Sequence, residues 1–283
     1  MIISALKLEL KKLFNRPRTY LGLIGAALIP LTIIIIFNFK DPTPFIEKAL
    51  GEMFTLSGSI LNGYLVSLIT LNHGSINFFI PVLIVLVVGE LIAGERQEGT
   101  LRLVLSRPIN RRQFLATKLI VATLYTLILF VIMIIIGLGI GLLNFGSGSL
   151  FITGLFVGNE GWFNILNGSQ AFQRLLIVYG AAFFILMTIT SFSFFLSTIL
   201  KNPVTAIIFP LVLIIFFRII SAFPFLKEIR PFLFTTYMDL WVDLLAPDIP
   251  WKNIMKSMFI LNIHTLIFIL SSFIIFNKKD ITS

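Results

Sequence analysis

Cysteine is absent from this chain of 283 residues. No disulfide, thiolate nucleophile or Cys-ligated metal can therefore form. Charge is scarce as well: Asp, Glu, Lys and Arg make up 12% of the chain, about half of what a soluble domain carries. Catalytic signatures are missing too. There is no GxSxG and no HExxH, which argues against an intramembrane hydrolase. The two histidines, His73 and His264, show no consistent ligand spacing, so packed or hydrogen-bonded roles are the simpler reading. No GxxxxGK[ST] occurs, and the dipeptide Gly-Lys is absent, so the chain has no phosphate-cradling loop of its own.

What is present is apolar. Hydrophobic residues make up 57% of the chain, including 30 Phe, and the mean hydropathy is +1.00. A water-soluble fold would have too few polar residues to cover such a core, whereas a bilayer solvates it directly. The sequence reads as an all-α integral membrane protein forming one transmembrane domain over residues 1–283. The net charge of +9 comes from basic residues at the ends of apolar runs, a juxtamembrane pattern that excludes a nucleic-acid surface.

Six stretches approach the roughly 20 residues needed to cross the hydrocarbon: Tyr20 to Phe39, Ile76 to Gly94, Leu119 to Leu143, Leu175 to Leu200, Pro203 to Phe223 and Ser257 to Phe276. The first, with no small-residue cleavage site after it, is expected to be a retained anchor. Phe54 to Leu71 is uncharged but rich in Ser, Asn and Gly, and Ser149 to Val157 is too short to cross. Both are expected to be interfacial or re-entrant pieces outside the main bundle. Residues 40–75, 144–174 and 224–256 then form the extracytoplasmic loops.

With both termini inside, the cytoplasmic segments hold 14 of the 22 basic residues: Lys7, Lys11, Lys12, Arg16, Arg18, Arg96, Arg102, Arg107, Arg111, Arg112, Lys118, Lys201, Lys278 and Lys279. The positive-inside bias supports this orientation in a cytoplasmic membrane. Within the lead-in of residues 1–18, Ile3, Leu6, Leu10 and Leu13 share a helical face with Lys7 and Lys11 off it. This pattern predicts an amphipathic helix on the inner leaflet. Pro30, Pro81 and Pro210 predict kinks. Gly137, Gly139 and Gly141 predict close packing or local unwinding near the outer end of the third span.

The connection between the second and third spans, residues 95–118, reads "ERQEGTLRLVLSRPINRRQFLATK" and carries six Lys and Arg. Glu98 and Arg102 stand i,i+4 with the acid first, and Leu101, Val104 and Leu105 fall on a neighbouring face. A short amphipathic helix over Gln97 to Ser106 is expected, stopped by Pro108, with Asn110 capping a new helix. This pattern resembles that of type-2 ABC transporter permeases: Glu95 and Glu98, then Gly99, Thr100 and Leu101, a turn at Ser106 and Pro108, then Arg111 and Lys118. The resemblance implies a six-span permease subunit, with export as the direction inherited from that family. It further implies a dimer with a second permease copy or paralogue, joined to two ATP-binding cassette subunits that hold ATP and Mg. The connection would be the coupling helix. Leu101, Val104 and Leu105 would seat in a groove of the ATPase, and Glu95, Glu98, Arg102 and Arg107 would supply rim charges. No cofactor is implied in this chain itself. A non-transporting scaffold or a channel subunit is the competing reading.

Inside the apolar runs two charged residues are candidates for function. Glu90 reads as a structural ion pair or headgroup-level carboxylate, with a proton relay as the alternative. Arg218 reads as snorkelling to the outer headgroups, with contact to an anionic ligand as the alternative. Asp239 and Asp243 flank Trp241 in a segment expected at the outer interface.

Overall fold

The computed structural model describes residues 2–50, 60–101, 110–153 and 163–278. Six helices are long and apolar enough to cross a membrane: Pro17–Phe39, Gly63–Gln97, Arg111–Phe145, Gly168–Ile199, Pro203–Ala222 and Trp251–Lys278. They are numbered here as spans one to six. A lead helix, Ile2–Phe14, precedes them, and a short helix, Thr43–Leu50, follows the first span.

Spans two and three are 35 residues each, about 52 Å at ~1.5 Å per residue. They run antiparallel in one register. A Cβ placed on Gly63 would meet the backbone of Leu142, and one on Gly137 would meet Thr70. Lower down, Tyr125 donates its hydroxyl to the Leu83 carbonyl, and Lys118 reaches Glu95. The two rods therefore touch from end to end, and the fourth span, the most enclosed of the six, packs against both.

This register corrects the placement of Phe54 to Leu71. Of that stretch, Gly63–Thr70 is a helix whose residues are nearly all buried among the first, third and fourth spans; residues 54–59 lie outside the described residues. Its polar composition misled because the hydroxyls bond locally. Thr70 donates to the Val66 carbonyl, and Ser67 shares a hydrogen bond with Tyr179 of the fourth span. At Leu71 and Asn72 the helix breaks, and the Asn72 side chain accepts from the Ser75 N–H to start the helix again. A π-helical turn, Ser75–Phe79, follows and leads into Pro81, whose missing N–H a wider turn tolerates. The third span has its own π turn, Ile135–Ile140, where Gly137 meets Thr70. The expected unwinding at those glycines is thus present, with close packing at Gly137 and Gly141 but open space at Gly139.

The all-α expectation needs one addition. Leu150–Thr153 and Phe163–Leu166 form an antiparallel two-stranded hairpin, β1 and β2, with Leu150 opposite Leu166. It includes part of the segment expected to lie at the interface. It ties the third span to the fourth at one end of the bundle, where Asn62 donates to the Ser149 carbonyl and Asn164 to that of Leu245.

The bundle has two unlike ends. The lead helix, Glu95, Arg96, Arg111, Lys118 and the close of spans four and six gather at one, here the basic end. Arg111 there donates to the Asn277 carbonyl. The hairpin and the segment between spans five and six form the far end.

Candidate functional site at the basic end

Lys118 stands eight residues into the third span with apolar neighbours, and a cation there needs a counter-charge. It is 2% exposed and is held by Glu95 of the second span at 2.7 Å and by Glu9 of the lead helix. Lys12 closes the square, 2.9 Å from Glu9 and 3.0 Å from Glu95. Burial alone would lower the Lys12 pKa, but hydrogen bonds and charge from Glu9 and Glu95 outweigh it and raise it. The ammonium of Lys118 also lies 5.5 Å from the centre of the Phe114 ring, which stacks on Phe276 of the sixth span. The second oxygen of Glu95 has no hydrogen-bond partner among the described residues.

A second set of charges lies beside the first. Glu90 accepts from Arg18 at 2.5 Å and has Arg16 at 3.7 Å, while Arg16 also approaches Glu98 at 4.0 Å. Glu90 is therefore part of an ion pair with the chain's own start, as the simpler reading expected. Lead helix and first span are clamped to the second span through both sets.

The second span is interrupted at Gly89, between Ile80–Val88 and Glu90–Gln97. Just below the interruption the N–H groups of Ile92 and Ala93 both donate to Ser197 Oγ of the fourth span, at 3.2 Å each. Arg96 then caps the end of the fourth span, donating to the carbonyls of Thr198 and Leu200 at 3.0 and 2.9 Å. The base of the second span is thus bonded to two neighbours at once.

Several expected site residues stand differently from their sequence reading. Glu95, 2% exposed and engaged by two lysines, is an internal ion-pair member and not a rim charge. Leu101 is also 2% exposed and belongs to the chain's own core, so it does not offer a face to another protein. Gly99 has φ +70°, a left-handed conformation that glycine adopts without strain and that interrupts the helix. The new helix begins at Thr100, whose hydroxyl donates to the Glu95 carbonyl. Glu98 consequently lies before the break. Its side chain is 56% exposed. Arg102, Val104, Leu105, Arg107 and Pro108 lie outside the described residues. Asn110 caps the third span as expected, accepting from the Arg112 N–H.

Sequence reasoning missed the roles of Glu9, Lys12 and Ser197. Only one of these was signalled in advance: Glu9 is a lone acid among the lysines of the lead helix, opposite a buried cation.

At the far end Arg218 is not free to snorkel or to meet an anion. Its guanidinium grips Asp239 with both nitrogens, at 2.8 and 3.0 Å, and donates to the Thr235 carbonyl. Asp239 also receives Asn77 at 3.0 Å and lies 3.1 Å from His73 Nδ1. His264 hydrogen-bonds to main-chain carbonyls of Ile260 and Phe232. Burial alone would raise the Asp239 pKa; the hydrogen bonds from His73, Arg218 and Asn77, with the Arg218 charge, hold it well below the usual carboxylate range. A depressed folded-state pKa gives stability that is complete above the unfolded value of about 3.9 and is lost as pH falls through the folded one. Acid titration of thermal stability should therefore show a loss below about pH 4 that Asp239→Asn diminishes, with no Asp239-dependent slope near neutrality. An unchanged acid limb in the variant would count against this assignment.

Six apolar helices and their polar ends define a multi-pass membrane protein. The chain belongs to the family described as Protein of unknown function (DUF2705), whose model matches residues 23–282. It is also similar to the Uncharacterized protein YhcI of Bacillus subtilis (strain 168), with 25% identity over 207 residues. That match covers 70% of this chain and 64% of the relative, so the chain spans less than two thirds of the relative's length.

Proposed function

We propose that this chain is the membrane-spanning subunit of an ATP-binding-cassette transporter, driven by separate ATP-hydrolysing subunits that bind ATP and Mg. The reading places both termini and the basic end in the cytoplasm, in agreement with the positive-inside bias. It takes export as the direction implied by the resemblance, and pairs the chain with a second copy or a paralogue.

One observation carries it. The two longest helices are joined at the basic end by a short connection, and their bases are locked to each other by Lys118 and Glu95. A displacement of that connection is delivered to two rods that traverse the whole bundle, which is the task of a coupling segment. The sequence contains no phosphate-binding loop, so this reading takes its energy from a partner. On the lead helix, Lys7, Leu8 and Lys11 are exposed while Glu9 and Leu13 face the bundle, so the exposed side suits an anionic inner leaflet.

On this reading the residues offered to the partner differ from those expected from the sequence. Leu101 is engaged internally, so Leu101→Asp would damage this chain's own core and is a poor probe. Glu98 is the exposed charge at the start of the connection. The test is to purify the tagged full chain from native membranes in mild detergent and ask whether a Walker-motif ATPase accompanies it in equal amount. Glu98→Lys is expected to lower recovery about tenfold or more, since like-charge juxtaposition at an interface costs several kcal/mol. If no ATPase accompanies the wild-type chain under several mild conditions, the scaffold or channel reading takes its place.

A further inference from the structure

The fully buried residues of the fifth span form one narrow row. Its buried residues are Ala206, Pro210 and Ile214, and Arg218 continues the same four-residue spacing to the far end. Ile207, Leu211, Leu213 and Phe217 flank the row, partly buried against the core, and exposed residues such as Val204, Ile208, Val212, Ile215 and Ile219 cover the outer side. Each end of the row has its own chemistry.

At the lower end Pro210 has no N–H to give to the carbonyl of Ala206, four residues back, so that carbonyl lacks its usual helical donor. The same oxygen would lie 2.5 Å from a Cβ placed on Gly89 of the second span. Two helices thus meet backbone to backbone at two weak points: a proline-loosened turn in one and the interruption at Gly89 in the other. Among the described residues no side-chain hydrogen bond joins the two spans there, so rotation about this point breaks none. Below it the second span is fixed by Ser197 and Arg96.

At the upper end the attachment is ionic. Asp239 alone joins three elements: Arg218 of the fifth span, His73 and Asn77 of the second, and the segment that carries Asp239 itself. Lesser contacts accompany it: Ser221 to Thr236 at 3.2 Å, Arg218 to the Thr235 carbonyl, and the edge of the Phe217 ring against Phe234 with centroids 6.1 Å apart.

The geometry points to a hinged helix: the fifth span swings about Ala206, Pro210 and Gly89, and the Arg218–Asp239 fork is the latch that holds its far half against the second span. Release of the latch opens a cleft between the far ends of these two spans. This inference rests on the fold alone and does not require the ATPase reading.

The Cys-free chain accepts spin labels at chosen sites. One pair, on Leu176 and Ile219, reports the far end; a second, on Val204 and Ile274, reports the basic end. All four positions are exposed. Distances would be measured by double electron-electron resonance in the full chain in phospholipid nanodiscs. Ile219 lies 13 residues from Ala206, about 20 Å at ~1.5 Å per residue, so each 10° of swing moves it by about 3 Å.

Wild-type protein is expected to give one narrow distribution for each pair. Asp239→Asn should broaden the far-end pair and shift it by about 3 Å or more while the basic-end pair stays narrow. Adding Arg218→Gln to it should change little further, because both act on one contact. Pro210→Ala, which restores the helix donor, should draw the far-end distribution of Asp239→Asn back toward the wild type. An unchanged far-end distance in Asp239→Asn overturns the latch, as does an equal change at both ends, which would mean general loosening. Failure of Pro210→Ala to narrow the distribution overturns the hinge.

Discussion

Lys118→Met is expected to lower the unfolding free energy by about 3–5 kcal/mol, because it leaves the carboxylates of Glu95 and Glu9 without their shared buried cation. With Lys12 alone left between two carboxylates, one negative charge is uncompensated, and that costs more than the lost pair. A double variant that also carries Glu95→Met should therefore recover part of the loss, since two apolar side chains of similar volume can replace a buried pair at little cost. Unfolding by denaturing detergent in mixed micelles measures both. A cost below about 1 kcal/mol for Lys118→Met would mean that water reaches the cluster and that the pair behaves like a surface salt bridge. The lead helix supplies a second readout: with the Glu9–Lys118 bond lost and only Lys12 holding the lead helix to Glu95, limited proteolysis should cut between the lead helix and the first span sooner than in the wild type.

Gly63→Ala is the second large effect. A Cβ at this position would come within 2.4 Å of the Leu142 backbone nitrogen and 2.5 Å of its Cα. Main chain on a neighbouring helix cannot rotate away as a side-chain tip can, so the tops of spans two and three must part. Overpacking of this kind costs about 1–3 kcal/mol, and here it would also disturb the bond from the Gly63 N–H to the Gly146 carbonyl. Gly180→Ala is the matched control. It lies in the fourth span with no atom within 4 Å of the added methyl, and the better helix propensity of Ala should leave stability equal or higher by up to about 1 kcal/mol. Equal behaviour of the two variants would show that spans two and three do not approach as described.

Much of the bundle could be read from the sequence, because crossing helices are long, apolar and bounded by charge. The six spans and the Asn110 cap follow from features local to a dozen or two residues. The misplacement of Gly63–Thr70 has a physical cause. Hydropathy registers Ser67 and Thr70 as polar, but a helix lets a hydroxyl bond to the carbonyl four residues back, and Tyr179 satisfies Ser67 from a distant part of the chain. Arg218 illustrates the same limit: its partner Asp239 is 21 residues away across an irregular segment, and spacing gives no hint of a shared fork. At the basic end the charges were visible but their pairing was not. Glu95 sits beside Glu98 in the chain, and yet one is enclosed by two lysines and the other exposed. That difference arises from which side of the second span meets the third, and a connection-centred reading does not resolve it.

The unequal lengths of the helices have a consequence for the surrounding lipid. Spans two and three, at about 52 Å, exceed a hydrocarbon layer of about 30 Å, so their water boundary can slide along them as the bilayer thickens or thins. The fifth span, with 20 residues, is about 30 Å long and has no such reserve. Hydrophobic mismatch therefore falls on it first, and tilting is how a helix relieves mismatch. Acyl-chain length would then act as a mechanical load on the helix that buries a single row of residues and is latched at its far end by an ionic fork.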